Sequence, residues 1–216
     1  MELTYNPEIF DVKDHQSAKE IILTCEDTTT DVRWETETPY LLEILADIKL
    51  DENTNVLDFG TGIGRMPRAL IEHYNCFCVG TDISNNMRAL SIPYVNSDRF
   101  VVMSNQALSR FDMQFDLSMA IWVLQHCFNL DEAIKLLIDK TKPGGTVFVV
   151  NNYQRVVPCS IDEEAFCWAD DGQNVLERLK VNPRLETILI DNFKLEKLKS
   201  PGLVKATWYG LFQKKQ

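Results

Sequence analysis

Val56–Leu70 reads VLDFGTGIGRMPRAL. An apolar run ends in a carboxylate, Asp58. Gly60, Gly62 and Gly64 follow at every second position, and residues 65–74 then read as a helix. Glycine permits left-handed backbone angles and lets a ligand approach where a Cβ would collide. A tight strand-to-helix turn without a ligand needs fewer of them. The stretch therefore reads as strand, ligand-contacting loop and helix, the repeating unit of a doubly wound α/β sheet.

Outward from this stretch the text keeps alternating. CFCVGTD (76–82), FVVMS (100–104), FDLSMAI (115–121) and TVFVVNN (146–152) read as strands. NNMRALSI (85–92) and LDEAIKLLIDKT (130–141) read as helices, with KPGG ending the latter. Apolar strands alternating with helices imply a parallel sheet covered on both faces. At the end, FKLEKL (193–198) and ATWYGLFQK (206–214) read as two strands separated only by KSPGLVK, an antiparallel finish. Before the core, residues 14–25 suggest a helix and residues 27–39 a loop. Thr38 and Pro39 then look like the N-cap and first turn of an amphipathic helix carrying Leu41, Leu42, Leu45 and Ile48. The expected fold is one α/β domain over 1–216. It is a doubly wound, mostly parallel seven-stranded sheet with an antiparallel C-terminal strand and helices on both faces. Its parts are a helical cap or lid (1–50), a core (55–150), a substrate-side insertion with a helix (151–192) and a C-terminal strand pair (193–214).

Composition narrows the function classes. The 216 residues carry a net charge of −10. Residues 1–55 hold 14 acids and 4 bases against 18 and 18 in the remainder, so the whole excess lies in the N-terminal segment. Such a surface repels phosphate backbones and disfavours nucleic acid as a partner. No apolar run is long enough to span a bilayer, and the polar, acidic start is neither a signal nor a transit peptide. A cytoplasmic protein is expected. The six cysteines (25, 76, 78, 127, 159 and 167) form no CxxC pair, and with three histidines no metal-site spacing appears.

The spacing G-x-G-x-G departs from the dinucleotide fingerprint G-x-G-x-x-G. Asp58 at the strand tip would repel a pyrophosphate but attract an ammonium group. Asp82 ends the next strand, where a carboxylate takes ribose hydroxyls. A ribose, an ammonium and no phosphate describe S-adenosylmethionine. With VLDFGTGIGR, GTDIS, FDLSMAIWVLQH, KPGGTVFVVNN and ATWYGLFQKK in order, residues 34–214 resemble the class I S-adenosylmethionine-dependent methyltransferases. The resemblance implies a cofactor site of Asp58, Phe59, Gly60, Thr61, Gly62 and Gly64. Asp58 would lie near the amino group and the glycines beneath the methionine and ribose. It implies Asp82 on the ribose, Ile83 beside the adenine, Asn105 with neighbouring Gln106 at the adenine amino group, and Ala120 beside the methionine chain.

The acceptor side is less defined. His126 is a candidate base, though a brace of the local backbone is the favoured reading. Trp34, Trp122, Asn152 and Tyr153 are candidate substrate contacts. Arg33 and Arg65 are candidates for the cofactor carboxylate, with a surface acid as the other partner for Arg65. Phe166 and Trp168 lie in an acidic insertion that either covers the substrate or forms an exposed helix. No D/N-P-P-Y/F/W run is present, so a small-molecule O or N acceptor leads. A protein or peptide acceptor, a non-catalytic cofactor-binding regulator and a nicotinamide-dependent oxidoreductase are the alternatives. The sequence does not specify the acceptor or the oligomeric state.

Overall fold

The computed structural model describes residues 3–23, 27–161 and 165–216. In chain order the elements are β1 (Thr4–Tyr5), a 3-10 turn (Pro7–Phe10), α1 (His15–Ile22), α2 (Thr30–Leu45), β2 (Asn55–Phe59), α3 (Arg65–Tyr74), β3 (Phe77–Thr81) and α4 (Asn85–Val95). There follow β4 (Phe100–Met103), α5 (Asn105–Ser109), β5 (Phe115–Ile121), a 3-10 turn (Leu124–His126), α6 (Leu130–Lys140) and β6 (Thr141–Asn152). The last third holds β7 (Val157–Ser160), β8 (Phe166–Ala169), α7 (Val175–Lys180), β9 (Leu185–Asp191), α8 (Leu195–Leu198), α9 (Pro201–Ala206) and β10 (Thr207–Lys214).

Seven strands form the main sheet in the order β4-β3-β2-β5-β6-β10-β9. The first five in that order, β4 to β6, are parallel, and β10 runs antiparallel between β6 and β9. Successive side chains of a strand face opposite ways, and the two apolar layers show it. Val56, Met119 and Phe148 pack with α2 and α3 on one face, while Leu57, Ala120 and Val149 pack with α6 on the other. The chain leaves β2 for β3 and β4 on one side, then returns to β5 on the other. This switch opens a crevice beyond the carboxyl ends of β2 and β5.

Two local expectations are corrected. Residues 30–38 are helix, not loop: α2 is capped by Thr29, whose hydroxyl accepts from the Val32 N–H, and Pro39 lies inside it. Arg33, Glu37, Leu41 and Leu45 recur every four residues and are all buried. The first two are charged, so the apolar period seemed to begin only after Pro39. Secondly, the strand paired with β10 is β9, not residues 193–198. Those residues hold α8, and α9 (Pro201–Ala206) follows. β9 is an edge strand with most of its side chains exposed, so it lacks the buried apolar pattern of its neighbours.

A second, three-stranded antiparallel sheet, β1-β7-β8, stands apart from the main one. Thr4 pairs with Ser160 and Tyr5 with Cys159, and Cys159 faces Cys167. The insertion is thus a hairpin tied to the N-terminus. Asn6 Nδ2 strengthens the tie by donating to Ser160 Oγ at 2.8 Å.

Candidate active site

A cavity of about 390 Å³ lies in the crevice. Its floor is the loop after β2. Gly60, Gly62 and Gly64 have φ of +75°, +55° and +84°. A Cβ on Gly60 would lie 2.3 Å from Val123 Cγ2, and one on Gly62 would lie 2.7 Å from Ile22 Cδ1. The first closes the loop against the turn after β5, the second against α1. The loop is fastened to β3 as well: the Thr61 N–H donates to the Thr81 carbonyl at 2.7 Å.

Two buried carboxylates face this floor. Thr61 Oγ1 donates to Asp58 Oδ2 at 2.7 Å. Burial nevertheless pushes the Asp58 carboxyl up to about 6, with the Thr61 bond and the Arg65 charge opposing. Asp82 accepts the Gly62 N–H at 2.8 Å through Oδ2 and the Ser84 N–H at 2.9 Å through Oδ1. Burial raises its carboxyl too, against those two bonds. Asn105, the first residue of α5, is among the residues that line the same cavity. Its Oδ1 is buried and has no hydrogen-bond partner among the described residues. A buried unpaired carbonyl is costly and asks for a donor.

The cavity also receives Phe59, Ile83, Trp122, His126 and Asn152. Trp122 has φ +61°, a left-handed conformation that is a genuine outlier for so bulky a residue. His126 lies in a chain of hydrogen bonds. The Asn152 N–H donates to Gln125 Oε1 at 2.8 Å, which fixes that amide and points its NH2 at His126 Nε2, 3.1 Å away. His126 Nδ1 then donates to the Val156 carbonyl at 2.7 Å. Both ring nitrogens are occupied, and burial lowers the imidazole to about 4, so it is neutral. The geometry is that of a brace.

Other expected residues lie elsewhere. Gly64 caps α3, where a Cβ would meet Val95 Cγ2 at 2.4 Å, so its role is helix packing. Ala120 faces the α6 layer, and Ile121 lines the cavity in its place. Gln106 is exposed on α5. Trp34 is on α2 and lines a separate open groove with Tyr94. Tyr153 is exposed, its hydroxyl donating to Asn192 Oδ1 at 2.7 Å.

Residues 57–149 match the family described as a methyltransferase domain. The matched stretch runs from β2 into β6 and holds the glycine loop, Asp58 and Asp82. A phosphoethanolamine N-methyltransferase of Plasmodium falciparum is 25% identical over 143 residues, 64% of this chain and 51% of that one. A mitochondrial ubiquinone biosynthesis O-methyltransferase of Dictyostelium discoideum is 27% identical over 112 residues, 45% and 35% of the two chains. The chain thus spans about half or less of the curated relatives it matches. Among solved structures, the N-methyltransferase NodS of Bradyrhizobium japonicum, bound to S-adenosylhomocysteine, shares the fold. It has a TM-score of 0.64 at 15% identity, covering 92% of this chain and 97% of that one.

Sequence reasoning missed several walls of the cavity. Tyr5, Phe10, Ile21 and Ile22 come from the N-terminal segment. Trp168, from β8, makes tilted ring contacts with His126 at 5.3 Å and Phe10 at 6.3 Å, and Phe10 meets His126 edge-on at 5.5 Å. The insertion therefore covers the cavity and is not an exposed helix. Arg155 holds it there: its guanidinium donates to the Leu124 and Cys127 carbonyls and pairs with Asp171 at 3.0 Å. Arg65 pairs with buried Glu37, not with a surface acid. None of these contacts has a local motif that would announce it.

Proposed function

We propose that the protein transfers the methyl group of S-adenosylmethionine to an oxygen or nitrogen of a small molecule by in-line displacement. The observation that carries this reading is the buried, unpartnered Asn105 Oδ1, placed in one cavity with Asp58, the glycine loop and Asp82. An adenine amino group supplies the donor that Asn105 lacks. In the same reading Asp82 accepts the ribose hydroxyls, Asp58 meets the ammonium, Ile83 lies along the adenine, and Gly60 and Gly62 admit the chain between. The cofactor supplies an already activated methyl group. The protein's part is to align the acceptor and exclude water. The clasp of Phe10, His126 and Trp168 supports exclusion, and neutral His126 holds the Val156 carbonyl. A small acceptor fits a cavity of this size, and the two curated relatives are named for phosphoethanolamine and ubiquinone biosynthesis.

Residues 1–30 act as the lid in this proposal. Ile21 and Ile22 lie over the cavity, and Ser84 Oγ donates to Asp11 Oδ1 at 3.2 Å, close to Asp82. The acidic segment would also draw an amine acceptor towards the site. With Cys76, Cys78, Cys127, Cys159 and Cys167 as free thiols, a reducing cytoplasmic setting belongs to the same proposal. No helix among the described residues is long and apolar enough to cross a membrane.

The test is direct. S-Adenosylmethionine and S-adenosylhomocysteine should raise the melting temperature while NAD does not, and a panel of small phenols, amines and acids should reveal S-adenosylhomocysteine formation. A shift with NAD alone would overturn the reading. Removing residues 1–30 should weaken cofactor binding; unchanged affinity would remove the lid.

A further inference from the structure

Glu37 is wholly buried, yet it is a carboxylate. Its oxygens accept from Arg33 Nη2 at 2.9 Å, Arg65 Nη2 at 2.9 Å and Trp122 Nε1 at 2.7 Å. Burial works against its charge, but Arg65, Arg33 and the indole N–H outweigh it and hold the carboxyl below its ordinary value. A buried ion pair is weak evidence for stability, because apolar residues of similar volume commonly serve as well. The question is what the arrangement does for the cavity beside it.

All three donors line that cavity. Arg33 and Arg65 are almost fully buried, so their guanidiniums are held and cannot sweep through solvent. Arg65 directs its other Nη to Thr38 Oγ1 at 3.0 Å, and its plane lies over the Trp34 ring at 5.6 Å. Arg33 lies over the Trp122 ring at 5.7 Å. Trp122 keeps its strained left-handed backbone with two anchors, its N–H to the Val150 carbonyl at 2.8 Å and its indole to Glu37. One carboxylate from α2 thus fastens the start of α3, next to the glycine loop, to the turn after β5.

We propose that Glu37 is a positioning residue for the amino-acid end of the cofactor. It fixes the Arg33 and Arg65 guanidiniums at the cavity wall, where they meet the carboxylate of the bound cofactor. Through Trp122 it holds the neighbouring wall in register. The guanidinium fork suits a carboxylate only when its orientation is set in advance. The inference rests on the methyltransferase reading, and the experiment separates the two.

Calorimetric titration of the full chain uses two probes. S-Adenosylhomocysteine has the amino-acid end; 5′-methylthioadenosine keeps the adenosine and thioether and lacks it. Glu37→Gln should weaken S-adenosylhomocysteine by about tenfold or more and leave 5′-methylthioadenosine within about twofold. A structural role alone would move both probes together, and equal losses, or no loss, overturn the proposal. Should Glu37→Gln not fold, Glu37→Asp decides. It keeps the charge and shortens the reach, so S-adenosylhomocysteine alone should weaken several-fold; native affinity for it overturns the proposal. A native chain that binds neither probe overturns the cofactor reading itself, and this inference with it.

Discussion

On one wall of the cavity, Asp58, Gly60, Gly62 and Asp82 stand at the tips of two adjacent parallel strands, joined by bonds such as Gly62 N–H to Asp82. On the facing wall, Phe10, His126 and Trp168 come from three separate segments and meet only by folding. The first wall is built from backbone geometry and neighbours along the chain. The second is built from side-chain contacts between opposite ends of the chain, as between Phe10 and Trp168. The first should therefore be brittle to single substitutions, and the second should give way in small, coupled steps.

The sharpest break is at Gly60. Gly60→Ala meets both a positive φ and Val123 Cγ2, and should cost about 2–5 kcal/mol. Gly172 lies in the loop after β8, has φ +73° and would meet nothing within 4 Å, so Gly172→Ala should cost only about 1–2 kcal/mol. Denaturant unfolding measures both. Equal costs would mean that contact with Val123 does not shape the floor.

Asp82→Ala comes next. The sequence places Asp82 at a strand tip and suggests a loss confined to the ligand. The structure adds two backbone N–H groups that this substitution leaves without their acceptor. S-Adenosylhomocysteine affinity should fall by about 1.5–3 kcal/mol, and the melting temperature by a few degrees. Calorimetry and thermal unfolding read the two effects, and an unchanged melting temperature would show that the floor does not depend on Asp82.

These two walls also explain what was legible in the sequence. The apolar strands and the alternate glycines impose their conformation locally, so the sheet, the loop and Asp82 could be read from the text. Asn105 could be read because α5 begins directly after β4. Arg33 and Glu37 could not, since charges on the buried face of α2 break the apolar period and make sense only beside Arg65 and Trp122. Trp168 could not be placed either: the β1-β7-β8 sheet that carries it is assembled from opposite ends of the chain. His126 was visible, but its neutral state comes from burial, which nothing local in the text announces.

The facing wall predicts a smaller effect. Trp168 is 45% exposed, so removing it creates little cavity. A double-mutant cycle on Phe10→Leu and Trp168→Leu should show a coupling of about 1 kcal/mol in unfolding free energy. S-Adenosylhomocysteine should also dissociate faster from either variant. Strict additivity would mean that the rings are neighbours without forming a clasp.

The smallest effect compares Asp58 with itself, free and bound. Burial lifts its carboxyl to about 6, from an ordinary value of 3.8. Two consequences have opposite signs. In the ligand-free protein, the folded state holds this proton more tightly than the unfolded chain does. Through this group alone, stability is lower above pH 6 and recovers as the pH falls towards 3.8. Cofactor binding runs the other way. An ammonium is attracted to the ionised carboxylate, so affinity declines as the pH drops through 6 and the charge is lost. At about pH 5.5 roughly a quarter of the groups are ionised, and S-adenosylhomocysteine should bind about fourfold more weakly than at pH 7.5, roughly 0.8 kcal/mol. Binding should also release a proton near pH 6, visible as a dependence of calorimetric heat on the buffer's ionisation enthalpy. Asp58→Asn should bind weakly at every pH and release no such proton. If the native chain binds equally well at both pH values, the ammonium does not meet Asp58, and the floor serves the cofactor through its glycines and Asp82 alone.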